Sequence, residues 1–166
     1  MLFMGEEWGS KVPFPFFCGF EGELADAVRK GRRREYDWAY AEYGDAVPDP
    51  LALSTFRSAV LDWDSRSRPE GEKRLALVRE LLAIRRREIV PRLAGAAFGK
   101  AHAADSGLLT ANWRMGDGAT LRLLANLSDI AMAHEEIETA GTVIWGGEAS
   151  GLIAPWSVFW RIGVGP

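Results

Sequence analysis

The chain has 166 residues, enough for one ordinary domain or a small domain with an attachment. It is too short for a complete enzyme barrel of parallel strands and helices, which takes about 250 residues. Twenty basic and 23 acidic residues give a net charge of −3, so no positive excess favours nucleic acid or an anionic membrane. An apolar content of 48% excludes a disordered chain.

The first element is an apolar run, Met1-Leu2-Phe3-Met4, which is followed directly by Gly5-Glu6-Glu7-Trp8-Gly9. A short run of apolar residues is typical of a strand that is covered on both faces, as in a parallel sheet. No similar strand follows before residue 93. We therefore expect a single strand here, whose sheet lies outside the given sequence.

Residues 1–92 hold 16 basic and 16 acidic residues and indicate a helical region. A helical stretch is expected over residues 23–43 with a break at Gly31, because glycine in a helix interior costs about 1 kcal/mol relative to alanine. After the turn Pro48-Asp49-Pro50, Ser54 or Thr55 would cap a short helix that ends near residues 61–63.

The clearest helix is predicted over residues 69–88. Pro69 suits its first turn, arginines gather in its last turn, and Pro91 stops it. Apolar residues at a spacing of three and four define its expected buried face: Leu75, Val78, Leu81, Leu82 and Ile84.

Residues 93–166 hold 4 basic residues, 7 acidic residues and 11 of the 18 glycines, and they alternate apolar with polar side chains as strands do. The strongest signal is a hairpin, in which strands 109–115 and 121–127 flank Gly116-Asp117-Gly118. Further short strands are expected at residues 96–102, 130–134, 142–145 and 155–162. The predicted class is α+β, with a helical segment over 1–92 and a C-terminal antiparallel β-sandwich over 93–166.

Motifs along nearly the whole chain resemble, in order, the α-amylase superfamily of glycoside hydrolases. Residues 2–9 resemble the end of its last barrel strand, where an apolar strand leads into a glycine, an acidic residue and a loop at the edge of the sugar cleft. Two glutamates and a tryptophan, followed by Pro13-Phe14 and Phe16-Phe17, are similar to its trehalose-releasing members. Branching enzymes typically carry a single Glu followed by Phe-Gly-Gln. Other similar stretches are residues 31–36, 48–63, 116–128 and 155–158.

The resemblance implies that residues 1–92 contain the last strand, a cleft-edge loop and the last helices of a (β/α)8 barrel, and that residues 93–166 form its C-terminal β domain. The parent enzyme would hydrolyse the α-1,4 bond next to the terminal trehalose unit of maltooligosyl trehalose and release trehalose. The reaction would pass through a covalent glycosyl-enzyme intermediate, without a cofactor.

The catalytic positions of that superfamily have no counterpart in this sequence. The nucleophile lies in an Arg-x-Asp strand end, the acid is a Glu on a following strand, and a third Asp follows a His. No Gly-Phe-Arg-x-Asp sequence occurs here, and neither His102 nor His134 precedes an Asp. We therefore expect this chain to be structural, inactive alone and without a catalytic residue of its own.

The candidates for contact with substrate are Glu6, Glu7, Trp8, Phe14 and Phe16, because binding groups of such enzymes lie at the C-terminal ends of barrel strands. A glutamate would accept hydrogen bonds from sugar hydroxyls, and an aromatic ring would offer a face to a sugar ring. The competing interpretation is structural. In it the rings fill space between the loop and the barrel, and a glutamate pairs with an arginine.

Two further groups of residues favour structural roles over binding. The arginine runs 32–34 and 85–87 lie next to acids and indicate solvated helix faces, rather than nucleic-acid or phosphate sites. Four tryptophans in the β region fit a core better than a starch-binding platform, with the last two expected on one face of a strand. They are Trp113, Trp145, Trp156 and Trp160.

The single cysteine, Cys18, excludes an internal disulfide framework and is what a reducing compartment permits. With no nearby His or second Cys, it is expected to be a small buried residue rather than a nucleophile. His102 and His134 lack metal-ligand spacing, so no metal is expected. Without a long apolar window or a secretory leader, the expected location is the cytoplasm.

Two other functions stay open at this point. The parent would be a glucan branching enzyme or another α-glucanase in one, and the β region would be a glucan-binding module in the other. The expected partner is a malto-oligosaccharide bound through the parent enzyme, with neither nucleic acid nor a membrane. An unpaired barrel edge would also favour self-association through residues 1–20.

Overall fold

The computed structural model describes residues 2–133, 141–149 and 151–164. Two compact units make up the chain, Met1–Arg79 and Glu80–Pro166. Helices dominate the first and an antiparallel sheet the second, which confirms the predicted α+β class. Residues 80–92, assigned to the helical region from the sequence, cluster with the strands here. Ile89 packs against the core of the sheet, and the Gly116 amide donates to the Arg92 carbonyl at 2.8 Å.

The first two helices are α1, Gly22–Glu35, and α2, Asp37–Tyr43. The break between them lies at Tyr36, whose φ of −118° and ψ of 38° are not helical, and the predicted break at Gly31 was wrong. Glycine lowers helix propensity without forbidding the helix. Contacts of the neighbouring Arg32 with Glu35 and with the Tyr36 ring hold the turns after Gly31 together.

A turn around Asp49 leads into α3, Leu53–Ser58. The Asp49 carboxylate accepts from the Arg29 guanidinium and from the Leu51 amide, which fixes the turn. The prediction that Ser54 or Thr55 caps this helix was wrong, because both lie inside it. The N-cap is Ala52, and the buried Thr55 hydroxyl donates back to the Asp49 carbonyl at 2.6 Å. The helix also ends at Ser58, earlier than predicted, and the next turn, Trp63–Ser67, is capped separately by the Asp62 side chain.

The longest helix is α4, Pro69–Ile84, which continues through a wide turn, Arg85–Ile89, into a tight turn, Val90–Arg92. Its predicted buried face is only partly buried. Leu81 and Leu82 are 39% and 47% exposed, because a helix buries its apolar stripe only where another element packs on it. Within the described ranges, none of the helices combines the length and the apolar character that a membrane span requires.

The apolar run at the start of the chain is not a strand in this structure. Leu2 and Phe3 lie outside any regular element and are 50% and 56% exposed. A strand requires a neighbour for its backbone N–H and C=O groups, and no strand lies among the described residues of the first unit.

The second unit contains seven strands among its described residues. Five form one antiparallel sheet in the order β1-β2-β3-β7-β5, and β4 pairs with β6 in a second, two-stranded sheet. The strands are β1 Ala97–Ala103, β2 Leu108–Arg114, β3 Ala119–Asn126, β4 Met132–Ala133, β5 Thr142–Trp145, β6 Leu152–Ile153 and β7 Ser157–Val164.

The strongest strand prediction, the hairpin, is confirmed. The Met115 amide donates to the Ala119 carbonyl at 2.7 Å across the turn, and β2 and β3 pair from Leu108 with Asn126 to Arg114 with Thr120. The core of the unit forms on one face of this hairpin, where Met115, Leu121 and Ile162 are at most 7% exposed. The short β6 was not predicted, and the end of the predicted strand 130–134 at His134 lies outside the described residues.

Candidate functional site

A shallow pocket of about 390 Å³ opens beside the first loop of the helical unit. We call it the loop pocket, and its volume lies within the range of about 300–1,000 Å³ that is usual for ligand sites. It is lined by Phe3, Met4, Glu6, Gly9, Ser10, Val12 and Arg74. The walls are therefore partly apolar, with a carboxylate, a hydroxyl and a guanidinium among them.

Two glycines shape the loop at this pocket. Gly5 and Gly9 have φ values of 83° and 71° on either side of a tight turn, Glu6–Trp8. The Ser10 amide donates to the Gly5 carbonyl at 2.8 Å and closes the turn. A Cβ at Gly5 would come within 2.8 Å of the Ser10 Cβ, so both the backbone angle and the space require glycine there.

The two predicted glutamates differ in their surroundings. Glu6 is exposed and lines the loop pocket, where its carboxylate accepts a hydrogen bond from the Phe3 amide at 2.9 Å. Glu7 is half-buried, and its buried Oε2 atom has no hydrogen-bond partner among the described residues. A buried acceptor without a partner costs about 1–3 kcal/mol of folding free energy, a cost that the exposed Glu6 carboxylate does not carry.

Trp8 holds the loop through buried contacts and does not line the pocket. Its side chain is 5% exposed, its Nε1 donates to the Ser65 Oγ at 3.0 Å, and its ring lies 5.2 Å from the Trp63 ring, centroid to centroid. These contacts tie the loop to the turn before α4, the helix that carries Arg74.

The two predicted phenylalanines lie in different places. Phe14 is 52% exposed, and its ring meets the Phe3 ring edge to face at 5.1 Å, which extends the apolar side of the loop pocket. Phe16 lies instead under the Arg32 guanidinium, 4.8 Å from its ring centroid. That ring belongs to a smaller pocket of about 180 Å³, lined by Pro15, Phe16, Arg32, Tyr36, Ala39, Tyr40, Val47, Pro48 and Pro50.

Sequence reasoning missed Phe3, Ser10 and Arg74. Arg74 lies on α4, far from the loop in the chain, and its Cγ would be 3.7 Å from a Cβ at Gly9. It makes no ion pair with any residue in the described part of the chain. No local pattern indicates such a contact, because periodicity reports only what lies on one element.

The groups that line the pocket match the hydrogen-bonding chemistry of a ligand with many hydroxyls. Carboxylate oxygens accept hydrogen bonds, a guanidinium donates several, and the Phe3 ring offers an apolar face. Retaining glycosidases use two carboxyl groups about 5–5.5 Å apart. Of the described residues that line the loop pocket, Glu6 supplies the only carboxylate.

The remaining candidates lie away from this pocket. Trp113 and Trp160 stack at 5.7 Å in the β unit, whereas Trp156 is 69% exposed. Trp156 precedes β7, so the prediction that Trp156 and Trp160 share one face of a strand was wrong. Cys18 is half-buried, with its amide donating to the Pro50 carbonyl, and His102 is exposed on β1.

Comparison with known proteins gives consistent matches. A family model described as "Domain of unknown function (DUF3459)" matches residues 96–160. The chain is 41% identical over 90 residues to the malto-oligosyltrehalose trehalohydrolase of Deinococcus radiodurans, covering 54% of this chain and 15% of that protein. It is 36% identical over 133 residues to the one of Brevibacterium helvolum, covering 78% of this chain and 21% of that protein.

A solved structure agrees with these matches. The crystal structure of a putative alpha amylase from Salmonella typhimurium superposes with a TM-score of 0.78 and 34% identity, covering 96% of this chain and 27% of that one. The chain thus spans between 15% and 21% of the length of the two curated relatives described above. Fold and matches together assign it to the glycoside hydrolases of the α-amylase superfamily. More particularly, the chain belongs to the malto-oligosyltrehalose trehalohydrolase family and spans only part of its relatives' length.

Proposed function

We propose that this chain is the non-catalytic C-terminal part of an enzyme that hydrolyses the α-1,4 bond between a malto-oligosaccharide and a terminal trehalose unit. The observation that carries the proposal is 36% identity over 133 residues to a malto-oligosyltrehalose trehalohydrolase, across 78% of the chain. In the parent, a carboxylate would bond to the anomeric carbon while an acid protonates the departing trehalose oxygen. Water would then release the malto-oligosaccharide.

In this proposal the loop pocket contributes binding at the edge of the cleft. A carboxylate has about four lone-pair sites, so the bond from the Phe3 amide leaves Glu6 able to accept from sugar hydroxyls. Arg74 would donate to sugar oxygens, and Phe3 with Phe14 would pack against a sugar ring. Trp8 would act only by holding the loop in place, since it is buried.

The inactivity of the chain alone is tested by trehalose release. The purified 166-residue chain and the full-length parent are incubated with maltooligosyl trehalose, and free trehalose is measured. We expect turnover by the parent and none by the chain. Turnover by the chain alone would contradict the missing-carboxylate argument, and a parent that releases no trehalose would contradict the proposed reaction.

The role of the pocket is tested in the full-length parent with Arg74→Ala. Loss of a hydrogen bond from a charged donor to a sugar oxygen should raise KM about ten-fold, with little change in kcat. Arg79→Ala is the matched control, because Arg79 is exposed on the same helix and does not line the pocket. Equal KM values for the two variants would exclude Arg74 from substrate binding.

A branching enzyme or another α-glucanase is the alternative for the parent. The two glutamates with Trp8, and the phenylalanines that follow, support the trehalose-releasing reaction over it. The products distinguish them, since a branching enzyme would introduce α-1,6 branches into amylose and release no trehalose.

A cytoplasmic location also stays a prediction, which rests on the single cysteine.

A further inference from the structure

Trp156 is an exposed tryptophan in the β unit, at the turn before β7. Its side chain is 69% exposed, while Trp113 and Trp160 stack on each other. Its φ is 52°, in the left-handed region that bulky side chains rarely adopt. The fold therefore holds a large apolar ring in solvent at a backbone angle that the ring itself disfavours.

The backbone on either side of Trp156 is held in place by hydrogen bonds. The Trp156 amide donates to the Ser128 carbonyl at 3.2 Å. Beside it, the fully buried Asn126 donates from its Nδ2 to the carbonyls of Ile130, Ile153 and Ala154. The two loops that meet at Trp156 are thus fixed on folding, which lowers the entropy cost of binding a ligand there.

Polar groups suited to sugar hydroxyls lie at Ser157, which follows Trp156 in the chain, and on the loop of Ser128, whose carbonyl accepts from the Trp156 amide. The Ser157 Oγ donates to the Ala154 carbonyl at 2.6 Å, and the Ser128 Oγ donates to the Asn126 Oδ1 at 2.7 Å. Because both hydroxyl protons are used inside the protein, both oxygens remain as acceptors. The exposed Asp129 follows Ser128 and adds a carboxylate.

From these features we propose that Trp156 is the stacking surface of a second α-glucan site, separate from the loop pocket. The C–H face of a glucose ring would lie on the indole, and its hydroxyls would donate to Ser128, Asp129 and Ser157. The carboxylate of Asp129 disfavours a nucleic acid or another anion. The choice of an α-glucan rests on the proposed function, because the ligand class comes from the substrate of the parent.

The experiment is affinity electrophoresis of the 166-residue chain in gels with and without soluble amylose. We expect retardation of the wild-type chain, a loss of at least ten-fold in apparent affinity for Trp156→Ala, and partial retention for Trp156→Tyr, which keeps a ring. Trp38→Ala is the matched control, since Trp38 is 62% exposed in the other unit and should leave retardation unchanged. Circular dichroism of each variant checks folding.

Three results would overturn the site: no retardation of the wild-type chain, equal retardation of Trp156→Ala, or equal loss in Trp38→Ala. Leu127, Ile130 and Leu152 are also exposed in the segments that lead to these two loops, and such apolar surface would suit a protein instead. Self-association abolished by Trp156→Ala, without glucan binding, would therefore assign this surface to a protein contact. Trehalose release by the parent is measured separately, so its failure would be distinguishable from failure of this site.

Discussion

Asn126 shows how much one side chain does in the β unit. It is fully buried, donates to three backbone carbonyls and accepts from the amide and hydroxyl of Ser128. It thereby satisfies backbone groups in loops that are too irregular to satisfy one another. Nothing in the sequence pattern distinguishes it from an ordinary strand-end asparagine, because its partners lie up to 28 positions away.

We predict that Asn126→Asp lowers the free energy of unfolding by about 2–3 kcal/mol, since it removes the donor and sets a carboxylate against three carbonyls. Urea unfolding followed by tryptophan fluorescence measures the change. Asp129→Asn, an exposed substitution nearby, is the control and should change stability by less than about 0.5 kcal/mol. A loss no larger than that of the control would show that Asn126 is not the link between these loops.

The lowered pKa of Asp49 makes the stability of the fold depend on pH. Hydrogen bonds from the Arg29 side chain and then from the Leu51 amide hold the pKa of Asp49 below its ordinary value. A lowered folded-state pKa stabilises the fold above the unfolded pKa of about 3.9, and this contribution is lost as the pH falls through the folded pKa. Because the pair is partly exposed, the effect is modest.

We therefore expect Asp49→Asn to be less stable than wild type at pH 7, with the difference shrinking as the pH falls below about 4. Urea midpoints at pH 7, 4 and 3 measure it. Asp45→Asn, another exposed carboxylate close by, serves for comparison. A difference that stays constant across this range would mean that the Asp49 charge does not contribute.

At the scale of elements, two helical glycines give opposite predictions. In α1, a Cβ at Gly31 meets nothing within 4 Å, so Gly31→Ala should raise stability by about 0.5–1 kcal/mol through its helix propensity. In α4, a Cβ at Gly71 would lie 2.2 Å from the Ser65 carbonyl oxygen, so Gly71→Ala should destabilise despite the same propensity gain. Thermal unfolding of both variants measures these effects. Equal changes in Tm for the two variants would contradict the tight packing at Gly71.

Element boundaries show where the sequence pattern stops being informative. The hairpin of β2 and β3 follows from alternation and turn residues, which are local, and it formed as predicted. The break at Tyr36 and the exposure of Leu82 did not follow, because they depend on side chains and surfaces from other parts of the chain. A period of apolar residues says which face can be buried, not whether a partner is there to bury it.

For the whole molecule, the sequence predicts self-association through residues 1–20. Leu2, Phe3 and Met4 are 45–56% exposed and provide apolar surface for it. The β1 edge of the sheet is a less favourable surface for self-association. This strand carries Lys100 and an irregular register beside it, two features that protect edge strands.

We expect light scattering to show dimers of the chain at high concentration, and Phe3→Asp to reduce them. Trp38→Asp, at an equally exposed ring elsewhere in the unit, should not. A monomer at all concentrations, or equal effects of both substitutions, would contradict association through the first residues.

The sequence by itself determined the α+β class, most of the strands and the resemblance to the α-amylase superfamily. These depend on local periodicity and on motifs of adjacent residues. Only the tertiary structure decided that Trp8 is buried while Trp156 is exposed, and that Arg74 and Glu6 line the same pocket. The reason is physical: burial and pocket formation come from contacts between distant segments, and composition and spacing do not encode which segments will meet.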